Sequence, residues 1–333
     1  MYAVVTGAAG FIGSHLAEAL CGSGHRVLGI DCFTDYYERS SKRRNIEALE
    51  STTSFSLSTA DLRSGALETL LDGADVVFHL AGQPGVRQSW SDGFADYCSH
   101  NILATQLVLE AAVACRCPRV VYASSSSVYG AAPPQPSLET DLPRPLSPYG
   151  VTKLAAEHLC GLYAENFALP TVALRYFTVF GPRQRPDMAI GRIIDAAIHG
   201  GTFTLYGSGE QARDFTYVQD VVAATLAAAA ADIAPGTVLN IAGGVTTSMT
   251  ELIDLVGELA GRPVTVERSP AQAGDVDRTG GNTEAARFLL GWSPVTSLHE
   301  GLTEQLAWSR RAVGPPHAPP RPADPSAPGQ SGG

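Results

Sequence analysis

The stretch Val4-Val5-Thr6-Gly7-Ala8-Ala9-Gly10-Phe11-Ile12-Gly13-Ser14-His15 decides the fold. Residues 3–6 form a short apolar run that reads as a buried strand, and residues 12–21 carry a helical pattern. Three glycines join them. Gly7 permits the tight turn, Gly10 lets backbone approach a pyrophosphate, and Gly13 lets the helix pack close to the strand. The helix N-terminus then turns free N–H groups and a positive dipole end toward the phosphates. Asp31 follows 18 residues after Gly13 at the end of the next apolar run, residues 26–31. A carboxylate there accepts both ribose hydroxyls and repels a 2′-phosphate, which favours NAD over NADP. Lys42, Arg43 and Arg44 would blur that preference if their loop folded back. Phe11 and Ile12 complete the expected cofactor turn.

Outward from this turn, strand candidates recur at 54–57, 75–80, 119–124 and 171–175, with helical patterns at 66–71, 95–115 and 150–167 between them. Uninterrupted apolar strands alternating with helices predict an α/β fold, a Rossmann-type doubly wound parallel sheet covered on both faces. Asp61-Leu62 after the third strand is placed to frame an adenine. Leu80-Ala81-Gly82 ends the fourth strand, where small residues let a dinucleotide cross the sheet edge. Pro182, Pro186, Gly200 and Gly201 break the pattern. Beyond them come helices at 219–231, 249–260 and 298–309 and short strands at 203–206 and 238–241. The expected division is a cofactor domain at 1–178 with 215–245 returning to it, and a smaller α/β lobe for substrate at 179–312. The Pro-, Gly-, Ala- and Ser-rich tail at 313–333 is too poor in apolar residues to order itself.

Composition narrows the function. The 333 residues carry a net charge of −10, which argues against nucleic acid as a partner. No apolar run reaches the roughly 18 residues of a membrane span, and Tyr2 to Thr6 has no basic region before it, so neither a membrane anchor nor a signal peptide is expected. The six cysteines show no C-x-x-C spacing, which fits reduced thiols in a cytoplasmic protein and no metal site.

The chemistry is carried by two segments. Ser124-Ser125-Ser126-Ser127-Val128-Tyr129-Gly130 closes the fifth strand, and Ser147-Pro148-Tyr149-Gly150-Val151-Thr152-Lys153 opens the next helix. Pro148 suits a helix start, and Tyr149 and Lys153, four apart, share a face. A phenol has a pKa near 10, but a neighbouring ammonium and an oxidised nicotinamide favour the phenolate. Tyr149 can then take a proton from a sugar hydroxyl while hydride leaves, with Ser125 holding the same oxygen.

On these residues the chain resembles the extended short-chain dehydrogenase/reductase family: T-G-A-A-G-F-I-G, H-L-A-G and Y-x-x-x-K are its marks, and they span nearly everything before the tail. The resemblance implies an NAD-dependent sugar-nucleotide epimerase, dehydratase or decarboxylase, usually a homodimer built on two long helices, here 95–115 and 150–167. The stretches D-C-F-T-D-Y-Y, G-V-R-Q-S, G-P-R-Q-R-P-D-M-A, A-R-D-F-T-Y-V-Q-D-V and A-Q-A-G-D-V look like the UDP-glucuronate 4-epimerase branch and its UDP-glucose relatives. Dehydratases and decarboxylases of the family usually place acids before V-Y-G; Ser126 and Ser127 stand there instead, which argues for epimerisation at carbon 4. UDP-glucose epimerases usually carry Asn after R-Y-F, where this chain has Thr178. Arg185 is placed to approach a sugar carboxylate, with Arg87 as a second candidate.

By the same resemblance, Gly191, Arg192, Thr204, Leu205 and Tyr206 line the uridine pocket, Arg213 meets the diphosphate, and Gln272 and Asp275 close over phosphate and ribose. Two departures stand out. Gln83-Pro84 replaces the more usual Gln-Ala, and Gly280-Gly281, where bulkier residues are common, is expected to loosen the segment after Asp275. The readings left open are UDP-glucose or UDP-N-acetylglucosamine 4-epimerase, then dehydratase or decarboxylase, and an NAD-sensing regulator without catalysis.

Overall fold

The computed structural model describes residues 1–65, 67–131, 136–272 and 274–312. The expected tail at 313–333 and the first residue of the helix expected at 66–71 lie outside them.

Strand β1 (Tyr2–Thr6) runs into helix α1 (Phe11–Gly22), then β2 (Arg26–Ile30), α2 (Arg39–Glu50), β3 (Phe55–Ser58), α3 (Leu67–Leu71) and β4 (Val76–His79). After β4 come α4 (Phe94–Tyr97), a wider π-type turn at Cys98–Leu103 and α5 (Ala104–Ala114), so the long helix expected at 95–115 is interrupted. Then follow β5 (Val120–Ser125), α6 (Pro148–Phe167), β6 (Thr171–Tyr176) and β7 (Thr178–Phe180). The remainder comprises α7 (Ala189–His199), β8 (Thr202–Tyr206), β9 (Ala212–Tyr217), α8 (Val218–Ala230), β10 (Thr237–Ile241), β11 (Thr246–Ser248), α9 (Met249–Ala260), β12 (Thr265–Ser269), α10 (Glu284–Leu290) and α11 (Leu298–Ala312).

Seven strands form one sheet in the order β10-β6-β5-β4-β1-β2-β3, and every neighbouring pair is parallel. This is the doubly wound order, reversing between β1 and β4, with β10 added at one edge. The burial pattern explains why the strands look continuous in sequence: all of β4 and all of β6 are buried. Two apolar cores sandwich the sheet. One contains Leu16, Phe78, Leu174 and Val221; the other contains Val77, Leu109, Tyr122 and Ala156. Burying such side chains contributes roughly 1.5–3 kcal/mol each.

Two smaller sheets lie outside this frame. The three-stranded one has the order β11-β9-β7, and β8 pairs in parallel with β12. Gly280-Gly281 does not loosen its segment. Both residues are buried, a Cβ on Gly281 would come within 2.6 Å of the Phe177 ring, and the Gly280 carbonyl accepts a hydrogen bond from the Ser137 amide at 2.7 Å. The pair is small because a second chain segment and an aromatic ring press against it.

Candidate active site

The glycine turn is built as its residue types require. Gly7 has φ +71°, and a Cβ there would sit 2.9 Å from the Ala81 amide nitrogen; a Cβ on Gly13 would lie 2.1 Å from the Gly7 carbonyl oxygen. Gly10 caps α1 without a side chain to occupy the first N–H groups, which leaves them for an anion. Those groups face a cavity of about 360 Å³ across the carboxyl ends of β1, β2, β4 and β5.

A dinucleotide fits this wall. Gly7, Gly10, Phe11, Ile12, Gly13, Asp31, Asp61, Leu62, Leu80, Ala81 and Gly82 all line it. Asp31 is buried, and its carboxylate accepts from the Ala9 amide at 3.2 Å and the Phe33 amide at 2.8 Å, with Lys42 Nζ at 3.5 Å. A carboxylate offers about four lone-pair sites, so acceptor capacity remains toward the cavity. Asp61 is held ionised by Arg63, which drives its pKa down to about 2.

Lys42 belongs to helix α2, not to a loop. Its neighbours divide: Arg43 lies over the Phe33 ring and reaches Glu50, and Arg44 bonds Ser41. Only Lys42 of the three lines the cavity.

Behind the two cofactor loops a chain of hydrogen bonds fixes their spacing. The Ala81 amide donates to Thr6 Oγ1, which lies 2.8 Å from His79 Nδ1. His79 Nε2 is 3.0 Å from Thr105 Oγ1, whose hydroxyl donates to the Asn101 carbonyl. Thr105 has one proton and gives it away, so Nε2–H must be the donor and Nδ1 the acceptor. Full burial lowers the His79 pKa to about 3, which keeps the ring neutral. Asn101, which sequence reading missed, sits in the π-type turn and clamps Gln83 through both backbone groups while donating to Thr152. Such turns recur at functional sites; the hydrophobic periodicity gives no sign of one.

Tyr149 and Lys153 lie in the opening turns of α6. Ser147 caps that helix by accepting from the Gly150 amide, Pro148 starts it, and Tyr149 and Lys153 occupy successive turns. Tyr149 packs edge-on against Tyr97 at 6.2 Å. Burial raises the Tyr149 pKa, while Ser125 and the Arg185 charge pull it down. Lys153 follows Tyr149 by one turn of the same helix. Its Nζ donates to the Ala123 carbonyl at 2.9 Å and lies 5.0 Å over the Tyr122 ring, and burial lowers its pKa to about 8. The Arg185 charge also favours the phenolate, less than the Ser125 hydrogen bond does.

The same cavity gathers Ser125, Ser126, Ser127, Tyr149, Lys153, Thr178 and Arg185, drawn from β5, α6, β7 and the loop before α7. Its wall holds two carboxylates among the described residues, Asp31 and Asp61, both at the cofactor end. Tyr36, Tyr37 and Met188 also line it, and the buried Tyr37 hydroxyl has no partner among the described residues.

The residues assigned to uridine and diphosphate lie off this wall. Arg87 is paired with Asp275 at 3.1 Å and stacks on the Tyr206 ring at 4.2 Å, off the cavity wall that Arg185 lines. Burial lowers the Arg213 pKa, and the Asp275 and Asp277 charges oppose that shift. Arg192 faces the Phe203 ring, Gly191 donates to Gln184, Thr204 lies on β8 opposite Glu267, and Gln272 donates to the Pro270 carbonyl. Arg87, Tyr206, Asp275 and Arg213 therefore form one cluster, adjoining the cavity through Val86.

Whole-chain comparison with known proteins identifies the family. Residues 3–242 match the model of the NAD dependent epimerase/dehydratase family. The chain belongs to that family. Among its members, an uncharacterized UDP-glucose epimerase, YtcB, of Bacillus subtilis is 43% identical over 92% of this chain and 98% of its own. The UDP-glucuronic acid 4-epimerase of Bacillus cereus, solved with UDP-glucuronic acid and NAD, superposes with a TM-score of 0.91 at 41% identity, covering 94% of this chain and 100% of that one. MoeE5, solved with UDP-glucuronic acid and NAD, is 43% identical with a TM-score of 0.86, covering 94% and 100%. The family is NAD-dependent, in keeping with the glycine turn and Asp31. Among the described residues no helix is long and apolar enough to cross a membrane, and no cluster of three or more His, Cys, Asp or Glu could hold a metal ion.

Proposed function

We propose that this protein is an NAD-dependent UDP-glucuronate 4-epimerase, interconverting UDP-glucuronate and UDP-galacturonate through a 4-keto sugar. The observation that carries this reading is the polar arc Ser126, Ser127, Thr178 and Arg185 around Tyr149, on a wall whose carboxylates stand only at the cofactor end among the described residues. Elimination across C5 and C6 calls for an acid and a base near those carbons, and a decarboxylase for an acid that protonates carbon 5 once carbon dioxide has left; the arc offers hydroxyls and one cation. A carboxylate-bearing sugar suits that set. The Bacillus cereus protein supports the uronate. YtcB, by its name, and MoeE5, also solved with UDP-glucose, keep the neutral sugar as the second reading.

In the mechanism, bound NAD supplies the two-electron acceptor that takes hydride from carbon 4 and returns it to the opposite face. Tyr149 removes the 4-hydroxyl proton and later gives it back, and Ser125 holds the same oxygen. Lys153, fixed on the Ala123 carbonyl, keeps an ammonium beside the cofactor loops; the Cβ direction of Gly82 points toward its Nζ at 3.5 Å. A 4-keto uronate is a β-keto acid, so Ser126, Ser127, Thr178 and Arg185 must hold the carboxylate where loss of carbon dioxide is disfavoured. We assign UDP to the cluster of Arg87, Tyr206, Asp275 and Arg213 with Gly191, Arg192, Thr204 and Gln272, which anchors the nucleotide while the sugar turns.

At the level of the chain, we assign NAD to residues 1–178 with 215–245, and the UDP-sugar mainly to 179–312. β10 lying beside β6 in the main sheet supports the return of the second segment. Homodimerisation through the α5–α6 side is supported by Leu103, Leu162 and Phe167, each about half exposed there. A cytoplasmic setting is supported by six free cysteines.

The test is to incubate purified protein with UDP-glucuronate and separately with UDP-glucose and to separate the products. UDP-galacturonate from the first is expected, and turnover of UDP-glucose alone refutes the uronate assignment. Tyr149→Phe should abolish the reaction and leave NAD bound; full activity in that variant sinks the mechanism.

A further inference from the structure

Arg185 is already held when it faces the cavity. Its Nε donates to Asp187 Oδ1 at 3.0 Å and its Nη2 to Asp187 Oδ2 at 3.1 Å, a two-pronged pair along one edge of the guanidinium. The Tyr36 hydroxyl donates to the same Oδ2 at 3.4 Å, and the Tyr36 ring lies 5.7 Å from the guanidinium carbon. Asp187 itself stays off the cavity wall, whereas Arg185 and Tyr36 line it. Of five N–H donors on a guanidinium, the Nε side edge is thus occupied, and the Nη1 end remains for the cavity.

This geometry bears on a difficulty in the reaction proposed above, and the inference rests on that reading. The sugar must turn over between the two hydride transfers. A uronate clamped by an unshared guanidinium in a half-buried site would have to break a charge-assisted pair before turning, and such pairs are strong. A guanidinium shared with a fixed carboxylate holds a second carboxylate less tightly, because the two anions repel.

We infer that Asp187 is a positioning residue that orients Arg185 and moderates its hold on the sugar carboxylate, so that a uronate binds yet can rotate. Asp187 therefore sets the balance between affinity and turnover for acidic sugars and has little influence on neutral ones. The fork is local in sequence, since Asp187 is two residues after Arg185, and the Met188 amide closes the turn on the Arg185 carbonyl at 3.2 Å.

The experiment uses Asp187→Asn, which keeps an acceptor for the guanidinium and removes the charge. Dissociation constants for UDP-glucuronate and UDP-glucose are measured calorimetrically in the NAD-loaded Tyr149→Phe background, where no turnover occurs. Initial rates are measured with Tyr149 intact. UDP-glucuronate should bind about fivefold tighter, the effect of roughly 1 kcal/mol in a charged contact, with KM and kcat both lowered. UDP-glucose binding should change by less than about twofold, the scale of an uncharged control. Asp187→Glu should restore the wild-type ratio of the two affinities, and Asp187→Ser carries the Asn expectation if that variant does not fold. Weaker uronate binding at unchanged kcat, or equal changes for both sugars, overturns the inference while leaving the epimerase reading intact. A wild type that binds UDP-glucuronate without converting it overturns the epimerase reading instead.

Discussion

At the scale of single residues, the site turns on how a buried phenol becomes a base. Around Tyr149 stand Ser125 from β5, Arg185 from the loop before α7, the Tyr97 ring from α4 and Tyr36 from the loop after β2. Burial opposes ionisation, and Arg185 favours it. Removing that cation should therefore raise the Tyr149 pKa and make the base form appear at higher pH. In Arg185→Ala, the acid limb of the kcat/KM profile for UDP-glucose, whose sugar has no carboxylate to lose, should move upward by several tenths of a unit or more, on the order of a screened charge pair. An unmoved limb would contradict the role given to Arg185. The spacing of Tyr149 and Lys153 shows in sequence that they share a helix face. It cannot show where each long side chain ends, and Lys153 ends on the Ala123 carbonyl.

At the scale of elements, α6 matters because it carries both residues proposed to react, and a buried network holds it against β5 and β6. Glu157, one turn after Lys153, accepts from Ser124 Oγ at 2.6 Å and from Arg175 Nε at 3.0 Å. Arg175 also donates to Tyr129, which donates to Asn240 on β10. Glu157 and Arg175 are both buried. Glu157→Leu would strand the guanidinium without its partner and should destabilise the fold by about 3–5 kcal/mol in urea unfolding. A loss below about 1 kcal/mol, typical of an exposed pair, would contradict this view of the network.

The same scale shows why α2 was hidden. Its buried positions are Lys42, Asn45, Ile46 and Leu49, a helical spacing in which only two residues are apolar. The main strands announced themselves because the sheet is covered on both faces. β7 and β11 are three residues each and carry no such pattern. The UDP-side residues were named through resemblance, and their meeting in the Arg87–Asp275 cluster depends on contacts separated by 188 positions in the chain.

At the scale of the whole molecule, two copies should associate through the α5–α6 side. Leu162, 53% exposed on α6, is the residue to change. Wild-type protein should sediment as two chains and Leu162→Glu as one or as a weakened equilibrium; a wild-type monomer would remove the dimer proposal. The proposed reaction turns on a hydride that leaves carbon 4 and returns to it. UDP-glucuronate deuterated at carbon 4 tests this most directly, with UDP-galacturonate followed by mass spectrometry and NMR. The expected product is UDP-galacturonate that retains the deuterium at carbon 4 without an added redox partner. UDP-galacturonate that has lost its label to solvent, or no UDP-galacturonate at all, would contradict the proposed reaction.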